Sequence, residues 1–274
     1  MILDKANPDT VTLSDCRYGR TLHLKQDRYI GRALTEFGEY SESEVELWRN
    51  LLTSHSIVAD VGANIGAHTM ALASLVPNGA VFAFEPLPFL FKLLCGNLAL
   101  NGITNAFPFN VAVGKVRGSI TVPAIDYRDE ENYGGVALGA YEQGNKVSLV
   151  KLDDVLPKVD LIKADVEGME QAVFEGASRL ITECKPVLYF ENNPDRSLPP
   201  GTTSPAQAAL IAYVQSLGYD LWWHFAPHYN PDNYAKNPVN SYEEGLASFN
   251  VVGFASHPDN AELMGSPPIA PHGR

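Results

Sequence analysis

The stretch IVADVGANIGAHTMALASLVPNGAVFAFEP, residues Ile57–Pro86, contains two short apolar runs separated by a glycine-spaced turn and a helical segment. The first run reaches an acid at Asp60, and the second reaches one at Glu85. The residues between them that suit a tight turn are Gly62, Asn64 and Gly66. Strand, turn, helix and strand in this order are typical of an open α/β sheet, which binds its ligand at the carboxyl ends of the strands.

The alternation of strands and helices continues through most of the chain. The strand-like runs are SIVADV, AVFAFE, AFPFNVAV, VDLIKADV and PVLYFE, with helical intervals such as MEQAVFEGASRLI between them. Because most of these runs are apolar on both faces, they predict a mostly parallel, doubly wound sheet covered by helices. The runs YDLWWHF and SFNVVGF are joined by a loop and predict an antiparallel pair at the sheet edge. A helix is predicted over 41–52, with Ser41 as N-cap and Glu44 completing a capping box.

The pattern divides the chain into three parts. Residues 1–39 are predicted to form an N-terminal extension or cap of short strands and turns, and residues 40–256 the main α/β domain. Inside that domain, the stretch at about 114–150 lacks a helical pattern and predicts a β-hairpin insertion. An aromatic- and Asn-rich loop at about 224–248 is predicted to contact the substrate. The remaining segment, 257–274, is Pro-rich and predicted to be a flexible tail.

Composition excludes several classes of protein. A net charge of −12 argues against nucleic-acid binding, because phosphate contacts need clustered Lys and Arg. No apolar run approaches the roughly 20 residues of a membrane span, so we expect no membrane insertion. The cysteines Cys16, Cys95 and Cys184 are far apart and the N-terminus lacks a signal-peptide pattern, which predicts a cytoplasmic protein. Aromatic residues near the C-terminal end leave a homo-oligomer possible.

The two acids at the strand ends indicate an adenosine-containing cofactor. Glu85 lies where a carboxylate can accept hydrogen bonds from both ribose hydroxyls. A dinucleotide site would prefer G-x-G-x-x-G, whereas here three residues separate Gly62 from Gly66. Asp60 would repel a pyrophosphate but suits the amino group and sulfonium of S-adenosylmethionine, whose carboxylate could take the N–H groups of the turn. An NAD-dependent oxidoreductase is the rival interpretation, and a plain βα turn without a ligand is the third.

These motifs, taken together, resemble a known family. DVGANIGAHT followed by FAFEP resembles the first two motifs of class I S-adenosylmethionine-dependent methyltransferases. With NVAVG, LIKADVEGMEQAVFEGA and PVLYFENN, the chain is similar to FkbM-type methyltransferases over roughly residues 40–255. The resemblance implies a Rossmann-like, seven-stranded sheet with an antiparallel last strand. It also implies methyl transfer from S-adenosylmethionine, leaving S-adenosylhomocysteine, to a hydroxyl of a sugar, glycan or polyketide-like molecule. The residues assigned to the cofactor are Asp60, Gly62, Asn64, Gly66, Glu85, Asn110 and Asp165.

The chemistry is predicted to lie in LIKADVEG. Asp165 and Glu167 follow the fourth strand, next to the expected position of the methyl donor's sulfur. Asp165 is the leading candidate to orient the acceptor or take its proton, Glu167 is second, and His224 is a further candidate base. The alternative is that Asp165 only caps the next helix and Glu167 only favours its dipole. Lys163 points to the same strand face as Asp165 and can pair with a carboxylate.

The acceptor is expected to contact the last part of the domain. The predicted substrate-binding residues are Trp223, His228, Tyr229 and Asn250. DVEG lacks the Asn/Asp-Pro-Pro-aromatic element of many amino-group methyltransferases, which favours oxygen as the acceptor atom. A divalent metal held by His224, His228, Asp165 and Glu167 is conceivable, but without close ligand spacing no metal site is predicted. A non-catalytic cofactor-binding scaffold protein is the remaining alternative.

Overall fold

The structure, a computed structural model, describes residues 4–138, 141–194, 203–242, 246–257 and 259–270. Its strands are β1 (Val11–Cys16), β2 (Gly19–Leu24), β3 (Ile57–Val61), β4 (Ala80–Phe84), β5 (Ala106–Phe109), β6 (Val111–Val113), β7 (Gly118–Val122), β8 (Asn145–Val150), β9 (Leu161–Ala164), β10 (Val187–Glu191), β11 (Tyr219–Pro227) and β12 (Ala247–Ala255). Its helices are α1 (Ile30–Glu36), α2 (Glu42–Leu51), α3 (Ala67–Leu75), α4 (Pro88–Leu100), α5 (Leu152–Val155), α6 (Glu170–Glu175), α7 (Ser178–Cys184), α8 (Pro205–Ser216) and α9 (Asn260–Met264).

The centre of the molecule is a seven-stranded sheet in the order β11-β12-β10-β9-β3-β4-β5. Strands β10, β9, β3, β4 and β5 are parallel, and β12 runs antiparallel to both β10 and β11. In the register, Val61 is opposite Phe84 on one side and Ala164 on the other. The carboxyl ends of three neighbouring strands therefore meet at one edge. The predicted Rossmann-like sheet with an antiparallel last strand is confirmed.

Helices cover both faces of this sheet, because alternate residues of each strand are apolar toward opposite sides. Ala59 and Ile162 belong to a buried cluster with Phe174 of α6. Val58 belongs to a second cluster with Trp48 of α2 and with residues of α3 and α4. Burying a side chain the size of Trp48, which is fully inaccessible, stabilises the fold by roughly 2–3 kcal/mol.

The stretch AFPFNVAV, predicted as one strand, is two strands in two different sheets. β5 ends the large sheet, whereas β6 pairs with β8 in a three-stranded sheet of order β6-β8-β7. Asn110 lies at the break, and its side-chain amide donates to the carbonyls of Glu85 (2.8 Å) and Pro86 (3.1 Å). The predicted hairpin insertion is present as the antiparallel pair β7–β8, in which Ile120 is opposite Val147. Residues 139 and 140 of the insertion lie outside the described residues.

The N-terminal extension differs from the prediction in two respects. It contains a helix, α1, that the sequence pattern did not indicate; the Asp27 carboxylate accepts from the N–H groups of Tyr29 (2.9 Å) and Gly31 (3.2 Å) at its start. The capping box at α2 does not form, because Ser41 adopts a left-handed conformation at φ 50° and makes no side-chain cap. Ser41 Oγ instead donates to Glu44 Oε1 at 2.7 Å.

Two further segments differ from their predicted form. MEQAVFEGASRLI forms two helices, α6 and α7, which meet near Gly176; a Cβ at Gly176 would lie 2.2 Å from the Gly114 carbonyl oxygen. The described part of the tail, 259–270, contacts β11 and is not free of the sheet. Trp222 Nε1 donates to the Ser266 carbonyl, and the Ile269 N–H donates to the Leu221 carbonyl at 2.7 Å. Residues 258 and 271–274 lie outside the described residues.

None of the described helices combines the length and the apolar character that crossing a bilayer requires.

The buried amide of Asn97 on α4 joins the N-terminal hairpin to the turn after β3. Its oxygen accepts from the Leu22 N–H (2.6 Å), and its nitrogen donates to the carbonyls of Leu22 (2.9 Å) and Ile65 (2.8 Å). We expect Asn97→Leu to lower the free energy of unfolding by about 3 kcal/mol, because it leaves buried backbone groups unpaired. Urea unfolding measures this loss, and Asn50→Leu on the exposed face of α2 is the control. Equal stability of the two variants would contradict the assigned role.

Candidate active site

A cavity of about 320 Å³ lies at the carboxyl ends of the parallel strands. Its floor is formed by the turn after β3, by Glu85 after β4, by the segment 165–167 after β9 and by Glu191 at the end of β10. Three segments wall it: the N-terminal residues Tyr29, Ile30 and Tyr40, the insertion residues 132–138, and the start of β12 at 246–249. Segments from both ends of the chain thus line the cavity, and the N-terminal extension contributes to it.

The turn after β3 approaches β9 very closely. Gly62 has φ 82°, and a Cβ there would lie 1.8 Å from the Asp165 carbonyl oxygen, so only glycine fits. The N–H groups of Gly62 and Ala63 donate to the Phe84 carbonyl. The Asn64 N–H donates to Glu85 Oε2 at 2.8 Å. The expectation that these N–H groups are free for a cofactor carboxylate is therefore wrong; they fix the turn to β4.

Gly66 serves a packing purpose. It has φ 89° and precedes α3, and a Cβ at this position would lie 2.6 Å from the Leu94 side chain of α4. Gly66 does not line the cavity in the described part of the chain, whereas Gly62, Asn64 and Ala67 do. The glycine lets α3 lie close to α4, which sets the direction in which α3 leaves the turn.

Glu85 lies at the end of β4, where the sequence predicts it, and lines the cavity. Its side chain is 4% exposed, and Oε1 also accepts from the Leu87 N–H at 2.7 Å. Burial raises the pKa of Glu85 to about 7, although the N–H donors of Leu87 and Asn64 oppose the shift. Since each oxygen holds one backbone N–H and can accept another bond, Glu85 can receive two neighbouring hydroxyls.

A buried lysine joins the predicted cofactor acid to the predicted catalytic acid. Asp60 is opposite Lys163 in the β3–β9 register, and Lys163 Nζ lies 3.1 Å from Asp60 Oδ1 and 3.6 Å from Asp165 Oδ2. Thr69 Oγ1 donates to Asp60 Oδ2 at 2.6 Å. Burial alone would lower the pKa of Lys163, but the neighbouring carboxylates of Asp60, Asp165 and Glu44 outweigh it and raise that pKa. Asp60 is fully buried and does not line the cavity, so among the described residues it can reach a ligand only through Lys163.

Three carboxylates converge on the floor of the cavity. Asp165, Glu167 and Glu191 each offer an oxygen within 4.8 Å of the others, a spacing that also suits a metal ion. Burial and the charge of Asp165 raise the pKa of Glu167 to about 7 and hold the pKa of Glu191 well above its usual range. This group differs from the metal site considered from sequence, since it contains Glu191 and excludes both His224 and His228. Glu191 had no predicted role, although it ends its strand with an acid as Glu85 does.

Of the residues predicted to bind the acceptor, His228 lines the cavity. Its Nε2 lies 3.0 Å from Ser248 Oγ, and its ring makes edge contacts with Tyr29 and Tyr40 at centroid distances of 5.6 and 5.8 Å. The sequence pattern gave no role to Tyr29 or Tyr40, because both lie in the part of the chain without a recognisable motif. Together these side chains form an aromatic wall of the cavity.

Five further predicted residues are not part of the cavity lining that the described residues form. Trp223, His224, Tyr229, Asn250 and Asn110 are absent from the lining formed by the described residues. His224 Nδ1 lies 2.8 Å from the Tyr189 hydroxyl, and burial lowers the pKa of His224. Asn250 is opposite both Glu191 and His224 in the sheet register. The roles assigned to these five residues stay predictions.

The N-terminal extension and the loop after β11 are joined through Glu39, which is 4% exposed. Glu39 Oε2 accepts from Arg17 Nε (2.8 Å) and from the Tyr234 N–H (2.7 Å), and Oε1 accepts from Asn230 Nδ2 (2.9 Å). The loop after β11, where described, is therefore attached to the N-terminal extension. Residues 243–245 of this loop lie outside the described residues.

Comparison with known proteins agrees with this geometry. A family model, the methyltransferase FkbM domain, matches residues 60–221, which is more than half of the chain. The chain belongs to the FkbM methyltransferase family. The matched segment of this FkbM methyltransferase supplies the floor of the cavity, whereas Tyr29, Tyr40 and the β12 wall lie outside it.

Individual relatives are more distant. Methyltransferase sdnD of Sordaria araneosa is 27% identical over 159 residues, covering 46% of this chain and 61% of that protein. Methyltransferase 1 of Beauveria bassiana (strain ARSEF 2860) is 26% identical over 144 residues, covering 44% of this chain and 58% of that protein. The match thus spans about three fifths of the length of these curated relatives. The crystal structure of methyltransferase FkbM from Methylobacillus flagellatus KT is 18% identical, with a TM-score of 0.48 over 73% of this chain and 44% of the other.

The raised pKa of Glu167 has a consequence for stability. The unfolded carboxyl ionises at its ordinary pKa near 4.3, whereas the folded one ionises at about 7. Wild-type protein therefore loses stability as pH rises between these values. Glu167→Gln cannot ionise at this position. We therefore expect its free energy of unfolding, relative to that of wild type, to be higher at pH 8 than at pH 4 by on the order of 1 kcal/mol. Urea unfolding at both pH values measures this, with exposed Glu142→Gln as control. A constant difference at both pH values would contradict the shift.

Proposed function

We propose that this chain is an S-adenosylmethionine-dependent O-methyltransferase that moves a methyl group to a hydroxyl of a sugar, glycan or polyketide-like small molecule. The observation that carries the proposal is the convergence of the Gly62 turn, Glu85 and Asp165 on one cavity in a member of the FkbM family. That arrangement offers a ribose-binding acid and a candidate proton acceptor at adjacent strand ends.

The cofactor would lie along the floor of the cavity. Glu85 would accept hydrogen bonds from the ribose hydroxyls, and the Gly62 turn would lie beside the methionine part. S-adenosylmethionine supplies a methyl group on a positively charged sulfur, and this charge suits a floor that contains the Asp165 carboxylate. Asp60 would act indirectly, by holding Lys163 next to Asp165.

Asp165 is the residue that we propose as catalytic. Methyl transfer needs the acceptor oxygen in line with the sulfur, and the hydroxyl proton must leave. Asp165 has a side chain 41% exposed toward the cavity and an oxygen close to those of Glu167 and Glu191. We propose that Asp165 orients the hydroxyl and takes its proton, and that Glu167 assists. His224 is the alternative base, which would require the acceptor to reach behind the wall. The proposed reaction uses no metal ion.

The acceptor would bind between the carboxylates and the aromatic wall. Tyr29, Tyr40 and His228 offer ring faces and polar atoms, a combination that suits a hydroxylated ring. A negative charge on Asp165 disfavours a phosphorylated or carboxylated acceptor, because like charges repel. The cysteines are free, which supports the cytoplasmic location that we also propose.

The two alternatives make different demands on the same cavity. An NAD-dependent oxidoreductase must place a pyrophosphate at the turn after β3, but the N–H groups of Gly62, Ala63 and Asn64 are engaged and Glu85 and Asp165 lie beside it. A scaffold protein without catalysis would not need an exposed carboxylate at Asp165. Both alternatives are therefore less favoured than the methyltransferase.

Calorimetric titration with S-adenosylhomocysteine, with NAD in parallel, tests the cofactor. We expect micromolar affinity for the first and no binding of the second. Glu85→Ala should weaken the affinity for S-adenosylhomocysteine by at least about tenfold, because a ribose contact to an anionic acceptor is lost. Exposed Glu142→Ala is the control and should bind as wild type. Binding of NAD but not of S-adenosylhomocysteine would favour the oxidoreductase. An unchanged affinity of Glu85→Ala for S-adenosylhomocysteine would contradict the proposed contact between Glu85 and the ribose.

Asp165→Asn separates chemistry from binding. The amide keeps the shape of the side chain but is a poor proton acceptor, so we expect turnover to fall by about 100-fold or more while S-adenosylhomocysteine still binds. Formation of S-adenosylhomocysteine, measured in a screen of hydroxylated acceptors against wild type and variant, gives the turnover. Retained turnover in Asp165→Asn would place the base elsewhere, and His224→Gln would then be tested.

A further inference from the structure

Glu170 is a buried acid to which neither the sequence pattern nor the proposed function gives a role. It is the first residue of α6 and is 5% exposed. It comes shortly after the segment 165–167, which leaves β9 and forms part of the floor of the cavity. A buried acid is costly unless its oxygens are hydrogen-bonded, so its partners need to be identified.

The Glu170 carboxylate binds the backbone of the segment that precedes it. Its Oε1 accepts from the Val166 N–H at 3.1 Å, and its Oε2 accepts from the Gly168 N–H at 3.1 Å. Oε1 also accepts from the Gly168 N–H at 3.3 Å. These two donors lie on either side of Glu167 in the chain. Because a carboxylate is a strong acceptor with no donor of its own, these bonds fix the backbone before and after Glu167.

The conformation held in this way is an unfavourable one. Glu167 has φ 51°, in the left-handed region that residues with a side chain rarely adopt. Such a conformation persists where the surrounding structure imposes it. Asp165 is held differently, because its own N–H donates to the Val61 carbonyl at 3.0 Å and so continues the hydrogen bonding of the sheet. The two acids of the floor therefore owe their positions to different contacts.

We propose that Glu170 is a positioning residue for methyl transfer, because its hydrogen bonds keep Glu167 in the left-handed conformation. In that conformation an oxygen of Glu167 lies within 4.8 Å of oxygens of Asp165 and Glu191. The inference rests on the proposed function, in which Asp165 takes the proton of the acceptor and Glu167 assists. Without Glu170, the Glu167 backbone is free to rotate to an ordinary region of φ and ψ, which redirects the side chain away from the other two carboxylates.

The cofactor contacts do not involve Glu170. The Asn64 N–H of the turn after β3 is bonded to Glu85 at 2.8 Å, and the Gly62 N–H is bonded to the Phe84 carbonyl at 3.0 Å. Loss of the Glu170 hydrogen bonds leaves these contacts in place. We therefore expect it to slow the transfer of the methyl group and to leave cofactor affinity nearly unchanged.

Two substitutions at Glu170 remove its charge but differ in what they leave behind. Glu170→Gln keeps one acceptor oxygen for the backbone N–H groups, whereas Glu170→Leu keeps none. With the acceptor that wild type methylates fastest in the screen of hydroxylated molecules, we expect kcat to fall about tenfold in Glu170→Leu and about threefold in Glu170→Gln. The dissociation constant of S-adenosylhomocysteine should stay within about twofold of wild type in both. Gln171→Leu, at an exposed position of the same helix, is the matched control and should change neither quantity.

A second background separates positioning from a general structural role. If Glu170 acts through Glu167, its loss has little further effect once Glu167 has itself been replaced. We expect Glu167→Gln alone to lower kcat about tenfold, and Glu170→Leu to lower it by less than about twofold more in that background. A merely structural defect would lower kcat by the same factor in both backgrounds.

The outcomes distinguish the inference from the proposed function. If wild type methylates an acceptor and Glu170→Leu has no effect, or the same effect in both backgrounds, the inference is wrong and the proposed function stands. A loss of S-adenosylhomocysteine affinity in parallel with kcat also contradicts the inference. If wild type methylates no acceptor, the proposed function fails and the inference fails with it. Should Glu170→Leu not fold, Glu170→Gln decides alone, because its threefold effect should disappear in the Glu167→Gln background.

Discussion

The ion pair between Lys163 and Asp60 is the interaction on which the site depends. Two charges removed from water need each other, and removing either partner leaves a charge whose burial costs several kcal/mol. The pair forms because β3 and β9 are parallel neighbours and bring these two residues into register. It places Lys163, the one lysine or arginine among the described lining residues, 3.6 Å from Asp165. The register of β3 and β9 therefore also determines where Lys163 lies relative to the carboxylates of the cavity.

Much of the sheet followed from residue patterns. Runs such as SIVADV and PVLYFE are apolar on both faces, and only a covered parallel sheet buries both. The prediction was wrong where one strand-like run changes the strand with which it pairs. AFPFNVAV is uniformly strand-like, but Asn110 bonds back to the chain after β4 and divides it between two sheets. The capping box at α2 did not form because Ser41 adopts a left-handed conformation and its hydroxyl donates to the Glu44 carboxylate and not to the helix end.

The site was predictable where residues follow strand ends. Glu85 and Asp165 lie on the cavity because the end of a parallel strand has a fixed place. Glu191 follows the same rule and was missed because no motif drew attention to it. Tyr29 and Tyr40 come from a segment with no periodic signal, and their position depends on long-range packing. His224 and Asn250 lie on the strands as expected, yet strand position alone does not tell whether a side chain reaches the cavity or stops behind its wall.

Glu39 joins the N-terminal extension to the loop after β11 through Arg17, Asn230 and Tyr234. The extension and this loop come from opposite ends of the chain, one before and one after the matched segment 60–221. A change in one segment without the other would leave the buried Glu39 carboxylate with fewer hydrogen-bond donors. The N-terminal extension and the loop after β11 are therefore structurally linked, and a change in one of them calls for a matching change in the other. We expect a chimera that exchanges both ends to keep the hydrogen bonds of Glu39. A chimera that exchanges one end is expected to lose some of them.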